Sequence, residues 1–308
     1  MLALFVAEPA QAVIRALLFA GAMGLVGAVL FAWRIAPVFP DDALRAAGDG
    51  AERLVRWAGA LVSLAIAARL VQQSAAFADT PAQWMTAVPL VLGSTTWGKG
   101  WILQALALPG VLLSAPRGMR HRGPARMALG AALLALCASP ALSGHAVGAP
   151  RLTGVAIAFD TAHVAAAGAW LGTLAAVAVV AIPLARARPA IVDQPAATVV
   201  AALMRFSPIA LASAAILALT GAFAAWLHLE TLPALWRSDY GLMLVRKLVI
   251  LAGVGAAGAY NWKVNTPRLA ADGDLRALAR SIAVELLLAA ALVAITAVLV
   301  ATPLPADS

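Results

Sequence analysis

Residues 159–172 read FDTAHVAAAGAWLG, and they head an apolar run that continues to about Ile182. About 20 apolar residues suffice to cross a bilayer, so the run predicts a transmembrane helix. That helix would hold Asp160, His163 and Trp170 inside the membrane. Residues three apart share one side of a helix, so a group bound by Asp160 is within reach of His163. Ionisable side chains at membrane depth are costly and point to function by default.

Outward from this stretch the composition is of one kind. The 308 residues are 63% hydrophobic and 12% charged, with a mean hydropathy of +0.91. No soluble fold hides that much apolar surface, so the chain is expected to be all-α, a polytopic membrane protein. Hydropathy with Pro, Gly and charge punctuation places eight spans at about 10–35, 53–73, 97–114, 125–142, 152–184, 203–229, 240–262 and 281–302. Residues 81–93 are apolar but too short to cross, as expected of an interfacial or re-entrant helix. Short joints between spans argue for a single domain over 1–308, an eight-transmembrane-helix bundle. Cys137 is the sole cysteine, which excludes a disulfide and a CxxC metal site. Glu8 precedes the first apolar run and no Lys or Arg does, so the first run is expected to be a retained helix rather than a cleaved signal.

The net charge of +8 is dispersed over short joints, which predicts membrane orientation and no nucleic-acid partner. The joints after spans one, three, five and seven, with their flanks, hold 15 of the 22 Lys and Arg residues. They mark the cytoplasmic face, so both termini are expected outside. Trp33, Trp57 and Trp262 then fall at inner span ends and Trp84, Trp97, Trp226 and Trp236 at outer ends, while Trp170 lies deep. Arg15 and Arg69 are expected to snorkel to the headgroups.

With that orientation three of the four histidines, His145, His163 and His228, gather in the outer third of the bundle, with Glu230 nearby; His121 lies in the inner basic loop. His163 needs a buried partner, and Asp160 one turn away can accept its N–H. Lys247 and Arg246 are adjacent and cannot share a face, so one of them is expected to point inward toward Asp160, Asp239 or Glu230. Met85 and Met243 are the thioethers of the outer half. Imidazole with carboxylate or thioether neighbours suits copper, zinc, iron or nickel, and equally haem ligation or a proton relay. In the inner half Glu285 and Asn261 are the notable polar groups within spans; Glu285 is a candidate for proton or ion coupling, or a partner of Arg280.

The segments SGHA, FDTAHVAAAGAWLGTL, the Thr220-Gly221 pair and SDYGLMLVRKLVILAGVGAAGAYNWKVNTPRL resemble the CopD copper-resistance membrane proteins, also called the YebZ or PcoD group. The positions that carry the likeness are His163, Trp170, Leu171, Gly172, Tyr240, Gly241, Leu244, Lys247, Asn261, Thr266 and Pro267. It is strong over the second half; the first half matches in span count and in the Thr-Trp-Gly-Lys-Gly-Trp lead into span three. The resemblance implies a bacterial inner-membrane protein that takes up copper from the periplasm, often beside a separate CopC-like copper-binding protein. Two functions therefore compete, beside a blander reading as an assembly partner with no substrate path, whose polar residues only fix helix register. One is a non-enzymatic copper carrier with His163 and Asp160 central and His145, His228, Met85 and Met243 near the mouth. The other is a membrane redox protein in which two histidines clasp haem b.

Overall fold

The computed structural model describes residues 2–78, 80–144, 146–147, 151–187, 194–229 and 231–302. Helices make up nearly all of it, and no strand occurs among the described residues. The first helix, α1, runs Leu2–Leu30 and continues through a π-helical turn, Phe31–Ile35, and a 3-10 turn, Ala36–Val38. There follow α2 (Asp41–Ala75), α3 (Pro81–Ser94), α4 (Thr96–Arg120) and α5 (Pro124–Leu142). The second half has α6 (Thr153–Ala187), α7 (Pro195–His228), the short α8 (Ala234–Arg237), α9 (Asp239–Asp272) and α10 (Leu275–Leu299). All of these except α3 and α8 are long and apolar enough to cross a membrane, which makes eight spans.

The helices outrun the hydropathy segments. Residues 41–52, read as a joint, form the first turns of α2, and the basic residues Arg117 and Arg120 close α4. Hydropathy registers the embedded part of a helix; backbone hydrogen bonding carries the helix on into water, where charged residues are welcome. Asp41 and Asp42 sit in the first turn of α2 and Arg117 and Arg120 in the last turn of α4, each of the sign that complements the helix dipole.

Three π-helical turns share one neighbour. Phe31–Ile35, Val177–Ala181 and Asn261–Asn265 each end two residues before a proline, Pro37, Pro183 and Pro267. Proline has no N–H and its ring crowds the carbonyl four residues back, which a widened preceding turn relieves; Pro109, Pro140 and Pro208 sit in helices without such a turn. The fourth, Gly168–Gly172, has no proline and lies at a helix crossing. There a Cβ on Gly27 of α1 would overlap the Gly172 backbone, and one on Gly172 would strike the Met23 carbonyl oxygen. Small residues allow backbone-to-backbone approach, which substitutes for the hydrophobic drive that lipid does not supply.

This crossing makes α6 the central pillar, the most buried of the eight spans. The second half repeats the order of the first: two spans, a short helix, two spans. Contacts across the halves are reciprocal, since α1 packs on α10 and α6 packs on α5, while α1 and α6 meet each other. Four spans per half leave the halves equally oriented, the arrangement of a parallel repeat. Even the starts of the third spans agree. Thr95 Oγ1 accepts the Gly98 N–H at 2.9 Å and Ser238 Oγ accepts the Gly241 N–H at 3.0 Å, both as N-caps. Gly98 and Gly241 then let the backbone of the preceding short helix pass where a Cβ would collide.

Trp57, Trp226, Trp236 and Trp262 are all more than 60% exposed, suited to interfacial belts. Trp33 is instead tied inward, donating to the Gly118 carbonyl at 2.9 Å beneath the Arg126 guanidinium.

Candidate functional site

The site begins where α6 lies against α7. Phe159 stacks on Phe223 with ring centroids 4.6 Å apart, and Phe223 on Trp226 at 5.9 Å. These aromatics fix the register of the two helices and bring His163 opposite Thr220, with Nδ1 2.8 Å from Oγ1. Gly221 leaves room for the ring, as its Cβ would stand 3.9 Å from His163 Cε1.

The Thr220 hydroxyl donates to the Ile216 carbonyl at 2.7 Å, and in that arrangement it accepts from His163 in the tautomer that carries its proton on Nδ1. The Nε2 lone pair is left for another partner. The expected role of Asp160 as acceptor for His163 is thus corrected: the acceptor is a hydroxyl on the neighbouring helix. A threonine amid an apolar span was the signal, and it stood in the quoted Thr220-Gly221 pair.

Asp160 faces Lys247 instead. The carboxylate and the ammonium act on each other electrostatically, and the lysine charge also reaches His163. They stand more than 4.0 Å apart, since the ion pairs among the described residues are those of Arg120 with Asp49 and Glu52. Of the adjacent cations, Lys247 turns inward and Arg246 is exposed. A positive charge beside the imidazole is thereby opposed by a negative one.

The remaining sequence candidates scatter. His228 meets Tyr240 edge-on at 6.3 Å, closing the ends of α7 and α9 over a buried Tyr240. His228 stands eight residues beyond Thr220, about 12 Å along the helix, too far to share an ion with His163 at that level. The Met243 sulfur accepts from Arg246 Nη1 at 3.6 Å. Met85 is 80% exposed on α3, which packs on α2 and α4 and not on the α6–α7 pair. Trp170 is buried in the core cluster that includes Phe31, Leu174 and Phe206, so it supports the pillar. His145 and Glu230 lie outside the described residues. Among the described residues no three His, Cys, Asp or Glu side chains gather as a metal cage. The haem reading needs two facing imidazoles and finds no support.

A second polar group lies toward the opposite end of the bundle. Asn265 Nδ2 donates to Asn261 Oδ1 at 2.8 Å, and Asn261 Nδ2 donates to Glu285 Oε2 at 2.8 Å. All three residues are buried. Glu285 is therefore held by Asn261, not by Arg280. Asn261 and Asn265, four residues apart, lie on one face of the helix. Thr266 Oγ1 caps the widened turn on the Asn261 carbonyl at 2.9 Å.

Two family descriptions match the chain. Residues 6–155 match the copper resistance protein D-like N-terminal domain, and residues 200–299 match copper resistance protein D. The chain belongs to the copper resistance protein D family. The first half carries a match of its own, where the sequence motifs suggested little more than span count. The Asp160–His163 segment falls between the two matched ranges. Comparison with curated proteins and with solved structures gave no match.

Membership makes the chain a multi-pass membrane protein of copper resistance and homeostasis. The described groups whose chemistry suits a copper ion are the His163 imidazole and the Asp160 carboxylate one turn before it.

Proposed function

We propose that the protein carries copper ions inward across a bacterial cytoplasmic membrane and catalyses no reaction. The observation that supports this most is the Thr220-held imidazole, since a histidine with Nδ1–H anchored presents Nε2 to a metal in a fixed direction. Asp160 offsets the Lys247 charge, so that a cation approaching His163 meets no net repulsion. The distribution of Lys and Arg supports a periplasmic side for the termini and for this site. A separate CopC-like protein would deliver the ion there. Glu285, braced by Asn261, is the candidate for ion or proton coupling on the way to the cytoplasm.

Radiocopper uptake by cells expressing the full chain tests the reading. His163→Ala should abolish uptake while the protein still inserts, and His121→Ala, altering an exposed loop residue, should not. Equal behaviour of the two variants removes the role of His163, and faster efflux in place of uptake reverses the direction.

A further inference from the structure

The first half holds a polar cluster that copper handling does not use. Arg69 of α2, expected to snorkel, is bound inside: Nη1 donates to Gln104 Oε1 at 2.9 Å and Nη2 to Ser143 Oγ at 3.0 Å. Gln104 is buried and donates in turn to Ser139 at 3.1 Å. The guanidinium also lies over the Trp97 ring, 5.3 Å from its centroid. A glutamine, two serines and an indole thus fix a cation in place.

Arg15 of α1 is close enough to Arg69 to repel it. Its Nη1 is buried and has no hydrogen-bond partner in the protein. Both arginines line a cavity of about 210 Å³ that Ser143 and Val300 also border. No carboxylate lines it among the described residues. Two like charges held together without a counter-charge are costly at this depth, and an orphaned guanidinium nitrogen adds to the cost. An anion in the cavity would relieve both.

The repeat gives the cavity a meaning. Arg15 stands twelve residues before Gly27, and Asp160 stands twelve before Gly172, the two glycines that meet at the crossing. Gln104 lies six residues after the capped Gly98, and Lys247 six after the capped Gly241. Arg69 and Thr220 each lie about two turns before the end of the second span of their half. The Arg15–Arg69–Gln104 cluster is therefore the first-half counterpart of Asp160–Thr220–Lys247, at the same level of the bundle. One location carries polar groups twice, two cations in the first half and a carboxylate with an ammonium in the second.

We propose that the first-half cavity is a binding site for a phosphate-class oxyanion, held by Arg15 and Arg69. Guanidinium forks match the oxygens of a phosphate group bidentately, and its charge of up to two offsets both arginines. The volume far exceeds the ~10–15 Å³ that one water requires. The phosphate can belong to an anionic lipid headgroup or to free inorganic phosphate. The site is independent of the copper reading and is tested without copper.

The test uses full-length protein in detergent micelles, with Arg15→Gln as the variant, because Arg15 makes no protein hydrogen bond whose loss would disturb folding. Lys99→Gln, an exposed cation on neighbouring α4, is the control. Equilibrium dialysis measures radiolabelled inorganic phosphate, and native mass spectrometry measures retention of phosphatidylglycerol against phosphatidylcholine. The wild type is expected to bind one of them saturably, and Arg15→Gln to bind it about 10- to 100-fold more weakly, the size of one lost charge-assisted bond. Phosphate alone bound assigns a free anion; phosphatidylglycerol retained over phosphatidylcholine assigns a lipid. Neither probe bound by the wild type, equal binding by Arg15→Gln, or an equal loss in Lys99→Gln overturns the proposal.

Discussion

Replacing Thr220 by valine tests the geometry around His163 without altering the imidazole itself; the side chains are nearly the same size, and a methyl takes the place of the hydroxyl. The Ile216 carbonyl that the hydroxyl contacts loses one of two acceptor roles, which costs little. The Nδ1–H of His163 loses its acceptor at 2.8 Å, and an unsatisfied buried donor costs about 1–3 kcal/mol. The ring can escape that penalty by rotating or by moving its proton to Nε2, and either escape spoils Nε2 as a ligand. Loss of such a supporting hydrogen bond lowers metal affinity about 10- to 100-fold, which corresponds to about 1.4–2.7 kcal/mol. Copper titration of the purified protein against a competing chelator reads the affinity, and a thermal melt reads the stability. Thr220→Ser, which restores a hydroxyl, should recover most of the loss. If Thr220→Val binds copper as the wild type does while His163→Ala does not, the hydrogen bond has no part in the site.

Gly172→Ala should destabilise the whole bundle, because the added methyl meets the Met23 carbonyl and neither backbone can yield; overpacking costs about 1–3 kcal/mol or more, read as a lowered Tm. Glu285→Gln keeps an oxygen for Asn261 to donate to, so the melt should be unchanged and copper uptake reduced; Glu285→Ala strands the Asn261 amide and should lower the Tm as well. Asp274 gives a pH signature. The backbone N–H groups of Arg276 and Ala277 donate to its carboxylate and hold it below its ordinary range. A depressed folded value means that the N-cap stabilises α10 above the unfolded value, about 3.9, and that this is lost as the pH falls through the folded one. Melts of the wild type should show that loss at acid pH, whereas Asp274→Asn, an uncharged cap, should lack that contribution to the slope.

Much of the molecule follows from the order of its residues. Runs of apolar side chains punctuated by charge dictate eight helices, because backbone groups in lipid must be satisfied within their own segment. The same logic identified residues 81–93 as a separate short helix and His163 as an imidazole within a span that needs a partner. Pro37, Pro183 and Pro267 each follow a widened turn that relieves the local crowding of the ring. What touches what was decided by tertiary packing. Thr220 lies 57 residues from His163 and Gln104 lies 35 from Arg69, and helix period alone cannot say which faces of distant helices meet. Arg15 and Arg69 look like snorkelling cations when each helix stands alone. Only the meeting of α1, α2, α4 and α5 turns them into a paired charge around a cavity, because electrostatic energy depends on separation in space and not along the chain.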